Sequence, residues 1–192
     1  METHRPTFIS DRKKYDFTLN EALHQRVDEV LNTTDPVELA EIAQNNREYR
    51  MRKAAVDRLT DQAGLAEVAQ NAVYTDVRMM AAVKLTDQAL AEEVYADIAK
   101  NEKDGYLRIA AAEKLTDPTI AQEVYTEIVT GMTSCPDLNV CRLAAERLTD
   151  PTLAQQLFSY IALNEKDQYV LGRALKKLTD QKLLAKLKFN KK

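Results

Sequence analysis

Apolar residues recur along this chain at helical spacing, in blocks that return with a regular period. Leu90, Ala91, Val94, Tyr95 and Ile98 fall at i, i+1, i+4, i+5 and i+8, one wide apolar face of a helix. Ile120, Ala121, Val124, Tyr125 and Ile128 repeat that stripe, and Leu153, Ala154, Leu157, Phe158 and Ile161 repeat it again. Earlier blocks, such as Leu65-Ala66-Glu67-Val68-Ala69, are four residues shorter. Four residues are about one helical turn, so the stripe keeps its phase. A second kind of block follows each of these. In it Met51, Val77, Leu107, Val140 and Val170 share one position. Ala55, Ala81, Ala111, Ala144 and Ala174 share another, and Leu59, Leu85, Leu115, Leu148 and Leu178 a third. These lie at i, i+4 and i+8, a second buried stripe whose central alanine lets neighbouring helices approach closely.

The blocks are punctuated by Leu-Thr-Asp, which ends at Asp61, Asp87, Asp117, Asp150 and Asp180, with gaps of 26, 30, 33 and 30 residues. A degenerate copy, Thr33-Thr34-Asp35, precedes them. Each aspartate reads as a helix N-cap, accepting from the unpaired N–H groups of the next turn. The next residue is Pro36, Gln62, Gln88, Pro118, Pro151 or Gln181, and proline is favoured at the first helical position. Asp104, Asp137 and Asp167 suit the same role for the second helices. A motif at this period predicts stacked helix pairs, none able to bury its face alone. The expected organisation is an arm over 1–17 and a capping helix over 18–34, opened by the capping box Thr18-Leu19-Asn20-Glu21. Five helix pairs follow, over 35–60, 61–86, 87–116, 117–149 and 150–179, with a basic closing helix over 180–192. The longest repeat places its extra residues in the loop from Gly131 to Asp137.

The second helices carry a recognisable pattern in Asp76-Val77-Arg78-Met79-Met80-Ala81-Ala82-Val83-Lys84-Leu85 and in Tyr106-Leu107-Arg108-Ile109-Ala110-Ala111-Ala112. It resembles the HEAT-like repeats of bacterial α-solenoids, in which a Val-Arg pair opens the second helix and alanines pack inside. Met51-Arg52 fits as well, whereas Val140-Cys141-Arg142 and Val170-Leu171 depart at the arginine. Inter-repeat arginine pairing is therefore expected of the first three copies only. A leucine-rich-variant repeat is also similar, but its unit is shorter. The resemblance spans roughly residues 35–185. It implies an all-α fold, a right-handed α-solenoid of antiparallel helix pairs. Families of this architecture include scaffolds, DNA-alkylation glycosylases, bilin lyases and a di-iron hydroxylase, so function does not transfer with the fold.

Composition narrows the classes further. Hydrophobic residues make up 45% and charged residues 30%, with only 4 Gly and 5 Pro, which favours a folded helical protein. No apolar run approaches the roughly 20 residues of a membrane span, and no signal peptide is evident, so a cytoplasmic protein is expected. The net charge of −3 does not suggest a general nucleic-acid binder, but Arg173 to Lys192 holds eight basic residues and one acid, Asp180. Cys135 and Cys141 lack the partners of a metal site and read most simply as free thiols in a reducing compartment, while their six-residue separation admits a disulfide under oxidation.

Catalytic constellations are not visible. Glu21 and His24 have the spacing of a metal-binding pair, but the other histidine, His4, lies in the arm, and a solvent-facing histidine is the better reading. Ser10, Ser134 and Ser159 sit in no nucleophile elbow. Cys141 beside Arg142 has no evident base. The turns at 101–104 and 164–167 lack the ligand pattern of a calcium loop. No metal, cofactor or enzymatic activity is expected.

What varies between copies is more informative than what repeats. On the second helices Arg50, Lys53 and Asp57; Asp76, Met79 and Val83; Tyr106, Ile109 and Glu113; Asn139, Arg142 and Glu146; and Tyr169, Gly172 and Lys176 fall at i, i+3 and i+7, away from the core stripe. In α-solenoids of this kind the second helices line the concave face. An apolar centre at Met79, Val83, Tyr106 and Ile109 between charged flanks suits a protein or peptide partner. The alternative is a ladder of cations before each motif leucine, Arg58, Lys84, Lys114, Arg147 and Lys177, which with the lysine-rich C-terminus would suit nucleic acid or phosphate. Cations also favour the C-terminal end of a helix for its dipole alone, by roughly 0.3–1 kcal/mol each, and that explanation of the ladder comes first.

Overall fold

The computed structural model describes residues 21–131 and 137–189. The expected arm, the capping box at Thr18, most of the Gly131–Asp137 loop and the last three residues lie outside the described residues. What is described is all-helical. Helix α1 covers 21–32. It is followed by α2 (Pro36–Asn45), α3 (Tyr49–Arg58), α4 (Gln62–Asn71), α5 (Thr75–Lys84) and α6 (Gln88–Asn101). Then come α7 (Gly105–Ala112), α8 (Pro118–Thr130), α9 (Leu138–Ala145), α10 (Pro151–Asn164), α11 (Gln168–Lys177) and α12 (Gln181–Phe189).

The helices start where the aspartates predict. Asp35, Asp61, Asp87, Asp117, Asp150 and Asp180 each accept from a backbone N–H of the following turn, at 2.7–3.0 Å. Asp104, Asp137 and Asp167 do so for α7, α9 and α11, each at 2.8 Å. Such caps satisfy N–H groups that the helix itself leaves unpaired. The bond from the Thr119 N–H holds the Asp117 carboxyl below the usual carboxylate range.

Two compact units divide at Ala91 and Glu92. In the N-terminal unit α2 packs against α3, α4 against α5, and like packs on like, α2 on α4 and α3 on α5. In the C-terminal unit α8 pairs with α9 and α10 with α11, while α9 contacts both α7 and α11. The core is the one the stripes describe. Ala55, Ala81, Ala111, Ala144 and Ala174 are all 0% exposed. The motif leucines divide, however. Leu59, Leu85 and Leu178 are buried, whereas Leu115 and Leu148 are half-buried. Helices α7 and α9 stop at Ala112 and Ala145, three residues before those leucines, whereas α3, α5 and α11 run to the residue before theirs.

The recurrence of the motif threonine has a structural reason that periodicity does not reveal. In the second repeat the Gln62 side-chain oxygen accepts from both the backbone N–H (2.9 Å) and the hydroxyl (3.1 Å) of Thr86. Gln122 does the same for Thr149, and Gln155 for Thr179. The Gln122 and Gln155 amides also donate to the Arg147 and Lys177 carbonyls, at 3.0 and 2.9 Å. Each rung ties the first helix of a pair to the end of the second. Glu92 stands in the equivalent place and accepts from Thr116, but a carboxylate has no N–H to give the carbonyl. Gln155→Ala removes three solvent-accessible bonds and is expected to lower stability by about 1 kcal/mol in a denaturant titration. Glu92→Gln, which supplies the missing donor, is expected to change it little or raise it. Equal loss from both variants would show that the rung is not what closes the pair.

Candidate binding surface

The variable positions of the second helices split by burial. In the N-terminal unit Arg50 and Lys53 on α3 are exposed, and Val83 on α5 is 60% exposed. Lys53 donates to Asp57 at 2.5 Å, and that bond raises the lysine pKa. Met79 and Asp76 are half-buried, with Asp76 placed 3.7 Å from Arg52 Nη2. This face therefore offers apolar Met79 and Val83 on one helix and a charged pair on the helix packed against it.

In the C-terminal unit Tyr106 and Tyr169 are exposed, at 42% and 66%. The Tyr106 hydroxyl donates to Asp137 Oδ2 (2.8 Å) and accepts from Asn139 Nδ2 (2.9 Å). The Asn139 bond acts to lower its pKa, but the bond to Asp137 and burial outweigh it and the phenol is raised. Two expected surface residues are corrected. Ile109 is 4% exposed and Arg142 2% exposed, so neither is open to a partner. Helix α9 lies against both α7 and α11, which covers the flanks where these side chains project. Arg142 is held within α9, on Asn139 Oδ1 (2.7 Å) and Glu146 Oε1 (2.6 Å).

The basic ladder is not a row of equivalent cations. Arg58, Lys114 and Lys177 are exposed. Lys84 Nζ instead donates to the carbonyls of Val56 (2.6 Å) and Asp57 (2.8 Å), at the end of α3. Burial lowers its pKa. Arg147 Nε pairs with the Glu113 carboxylate and its Nη1 donates to the Leu143 carbonyl at 2.7 Å. These two rungs serve helix ends, as the dipole explanation expects.

The second-helix arginines close helix ends too. Arg52, 5% exposed, donates to the carbonyls of Asn46 and Arg47 just beyond α2. Arg78 Nε reaches the Ala69 carbonyl (3.1 Å) and Arg108 Nε that of Ala99 (2.9 Å). Arg108 also pairs with Glu127 of α8 at 2.6 Å. Arg108, Glu127, Tyr106, Asp137, Ile128 and Val140 border a cleft of about 450 Å³ in the C-terminal unit. The glycine at its edge is sterically required, because a Cβ on Gly105 would run into Val140 Cγ1.

Of the residues weighed for chemistry, Glu21 and His24 are exposed on α1, and the Ser159 hydroxyl donates to the Gln155 carbonyl at 2.8 Å. His4, Ser10, Ser134 and Cys135 lie outside the described residues. Cys141 is fully buried and disulfide-bonded, which corrects the expectation of a free thiol. Among the described residues no three His, Cys, Asp or Glu side chains cluster in a way that would hold a metal ion. No described helix is long and apolar enough to cross a membrane. No family model matches the chain, and no curated protein or solved structure matches it either.

Proposed function

We propose that the chain is a right-handed α-solenoid of antiparallel, HEAT-like helix pairs. On this reading it is a non-catalytic scaffold that takes a protein or peptide on the face its second helices present. One observation carries the reading. The central alanine of the second helices is fully buried in every copy, while the positions that vary leave Val83, Tyr106 and Tyr169 standing in solvent. Large apolar and aromatic side chains that the frame does not need are what a partner-binding surface uses as anchors. The nucleic-acid reading is weaker, because Lys84 and Arg147 are engaged by helix-end carbonyls and Glu113.

The test uses the N-terminal unit. Met79→Lys with Val83→Lys is expected to leave folding intact, since Lys53 already occupies the position equivalent to Met79 and Val83 is largely exposed. Affinity for partners captured from the native cell is expected to fall about thirtyfold, as loss of a central anchor of roughly 2 kcal/mol would give. A folded double variant with unchanged capture rules this face out. A steep loss of wild-type binding with salt would instead favour the phosphate reading.

A further inference from the structure

Neither the helix nor its packing accounts for Gly172 of α11. It sits in the middle of Gln168–Lys177, where glycine is a poorer helix former than alanine. Its φ is not positive, so the backbone does not require it. A Cβ built there meets no atom within 4 Å, so no neighbour among the described residues requires it. Gly105 shows the contrast, because there Val140 stands in the way.

The surroundings of Gly172 are distinctive. Tyr169, Gly172, Arg173 and Lys176 fall at i, i+3, i+4 and i+7, on one face of the helix. Tyr169, Arg173 and Lys176 are exposed, and Lys182 and Lys186 of α12 are exposed as well. Arg173 has only a long contact of 3.7 Å to Glu146. By contrast α2, α4, α8 and α10 carry no basic residue at all. Cationic side chains are thus concentrated toward this end of the sequence, and on α11 Arg173 and Lys176 flank an exposed aromatic ring and a site where a partner's backbone can come close.

We propose that this face of α11 docks an acidic helical segment of a partner protein. Gly172 admits the partner's backbone, Tyr169 packs on its apolar side, and Arg173 and Lys176 meet its carboxylates. A helix suits the site better than a nucleic-acid strand. Close backbone approach over a small residue is a helix-packing device, whereas long cationic side chains reach phosphates without it. A single exposed tyrosine also gives no series of rings for successive bases to stack on. The proposal rests on the reading that second helices carry the partner, and it names the partner's chemistry.

The experiment measures fluorescence anisotropy of a labelled, synthetic acidic amphipathic helix against the full chain. Gly172→Ala, Gly172→Leu and the pair Arg173→Glu with Lys176→Glu are compared with the wild type. Gly172→Ala is expected to raise the melting temperature, because alanine is the better helix former and its methyl enters open space, and yet to weaken peptide binding several-fold. Gly172→Leu is expected to weaken it by roughly tenfold or more, and charge reversal to abolish it. No binding by the wild type overturns the proposal, as does unchanged affinity in Gly172→Leu. Tighter binding of a single-stranded oligonucleotide, lost on charge reversal, also overturns it in favour of nucleic acid. The Met79 and Val83 test concerns a different helix in the other unit, so either result can fail while the other stands.

Discussion

Arg52→Met is expected to destabilise the N-terminal unit by about 3 kcal/mol, with amides of α2 and α3 exchanging faster than those of the C-terminal unit. The side chain does several things at once. Its Nη1 donates to the carbonyls of Asn46 (3.1 Å) and Arg47 (2.9 Å) in the turn between α2 and α3. Its guanidinium carbon lies 3.6 Å from the centroid of the Tyr74 ring and 5.7 Å from that of Tyr49. Nη2 faces Asp76 at the start of α5, 3.7 Å away. One arginine thus fastens the turn inside one helix pair to the corresponding turn of the next. Charged hydrogen bonds contribute about 1.5–3 kcal/mol each, and a desolvated cation–π contact about 2 kcal/mol. These do not add in full. Asp76 is 37% exposed and keeps water in place of the lost charge, and the buried Arg52 Nε has no hydrogen-bond partner, a cost that methionine removes. Arg52→Lys keeps the charge but not the planar stack, and is expected to lose about half as much. A methionine variant within about 0.5 kcal/mol of wild type would show that the clamp is incidental.

The parts of this fold that were legible in the sequence are those set by neighbours along the chain. An N-cap involves residues two or three apart, and the aspartates before Pro36, Pro118 and Pro151 announce it. A stripe at i, i+4 and i+8 needs only helical geometry, so the five alanines could be read as core, and the structure buries them completely. Contacts between helices were less legible. Gln155 and Thr179 stand 24 residues apart, and nothing in the period says that an amide oxygen will meet both donors of a threonine. Glu92 is not among the apolar positions of its helix's stripe, yet it holds Thr116 in the same way. A comparison of Glu92, Gln122 and Gln155 at the fifth residue after their aspartates could have suggested the rung. The surface was the least legible. Whether position i+3 of a second helix is open depends on how closely the helices on either side approach. That is why Lys53 stays exposed and Met79 half-buried while Ile109 and Arg142 are covered.

Ala111→Leu is expected to cost about 2 kcal/mol, within the 1–3 kcal/mol typical of overpacking a filled core. Ala111 is 0% exposed, and so are its four counterparts, which means that no copy of the repeat leaves room at this position. Helix α7, only eight residues long, packs against both α8 and α9, so it cannot shift away from one without pressing on the other. Three added heavy atoms must then force Ala111's neighbours off their rotamers or move α7 as a whole. For a chain of this size the loss corresponds to a fall in melting temperature of roughly 4–8 °C. The control has to be a leucine gained where nothing is crowded. Gln156 on α10 is exposed, so Gln156→Leu is expected to stay within about 0.5 kcal/mol of wild type. A second core variant, Ala144→Leu, tests whether the constraint belongs to the repeat rather than to α7 alone, since Ala144 holds the same place in α9 between α7 and α11. If Ala111→Leu and Ala144→Leu both melt with the control, the alanines are not where the helices meet, and the helix phase on which the exposed surface was assigned is wrong as well.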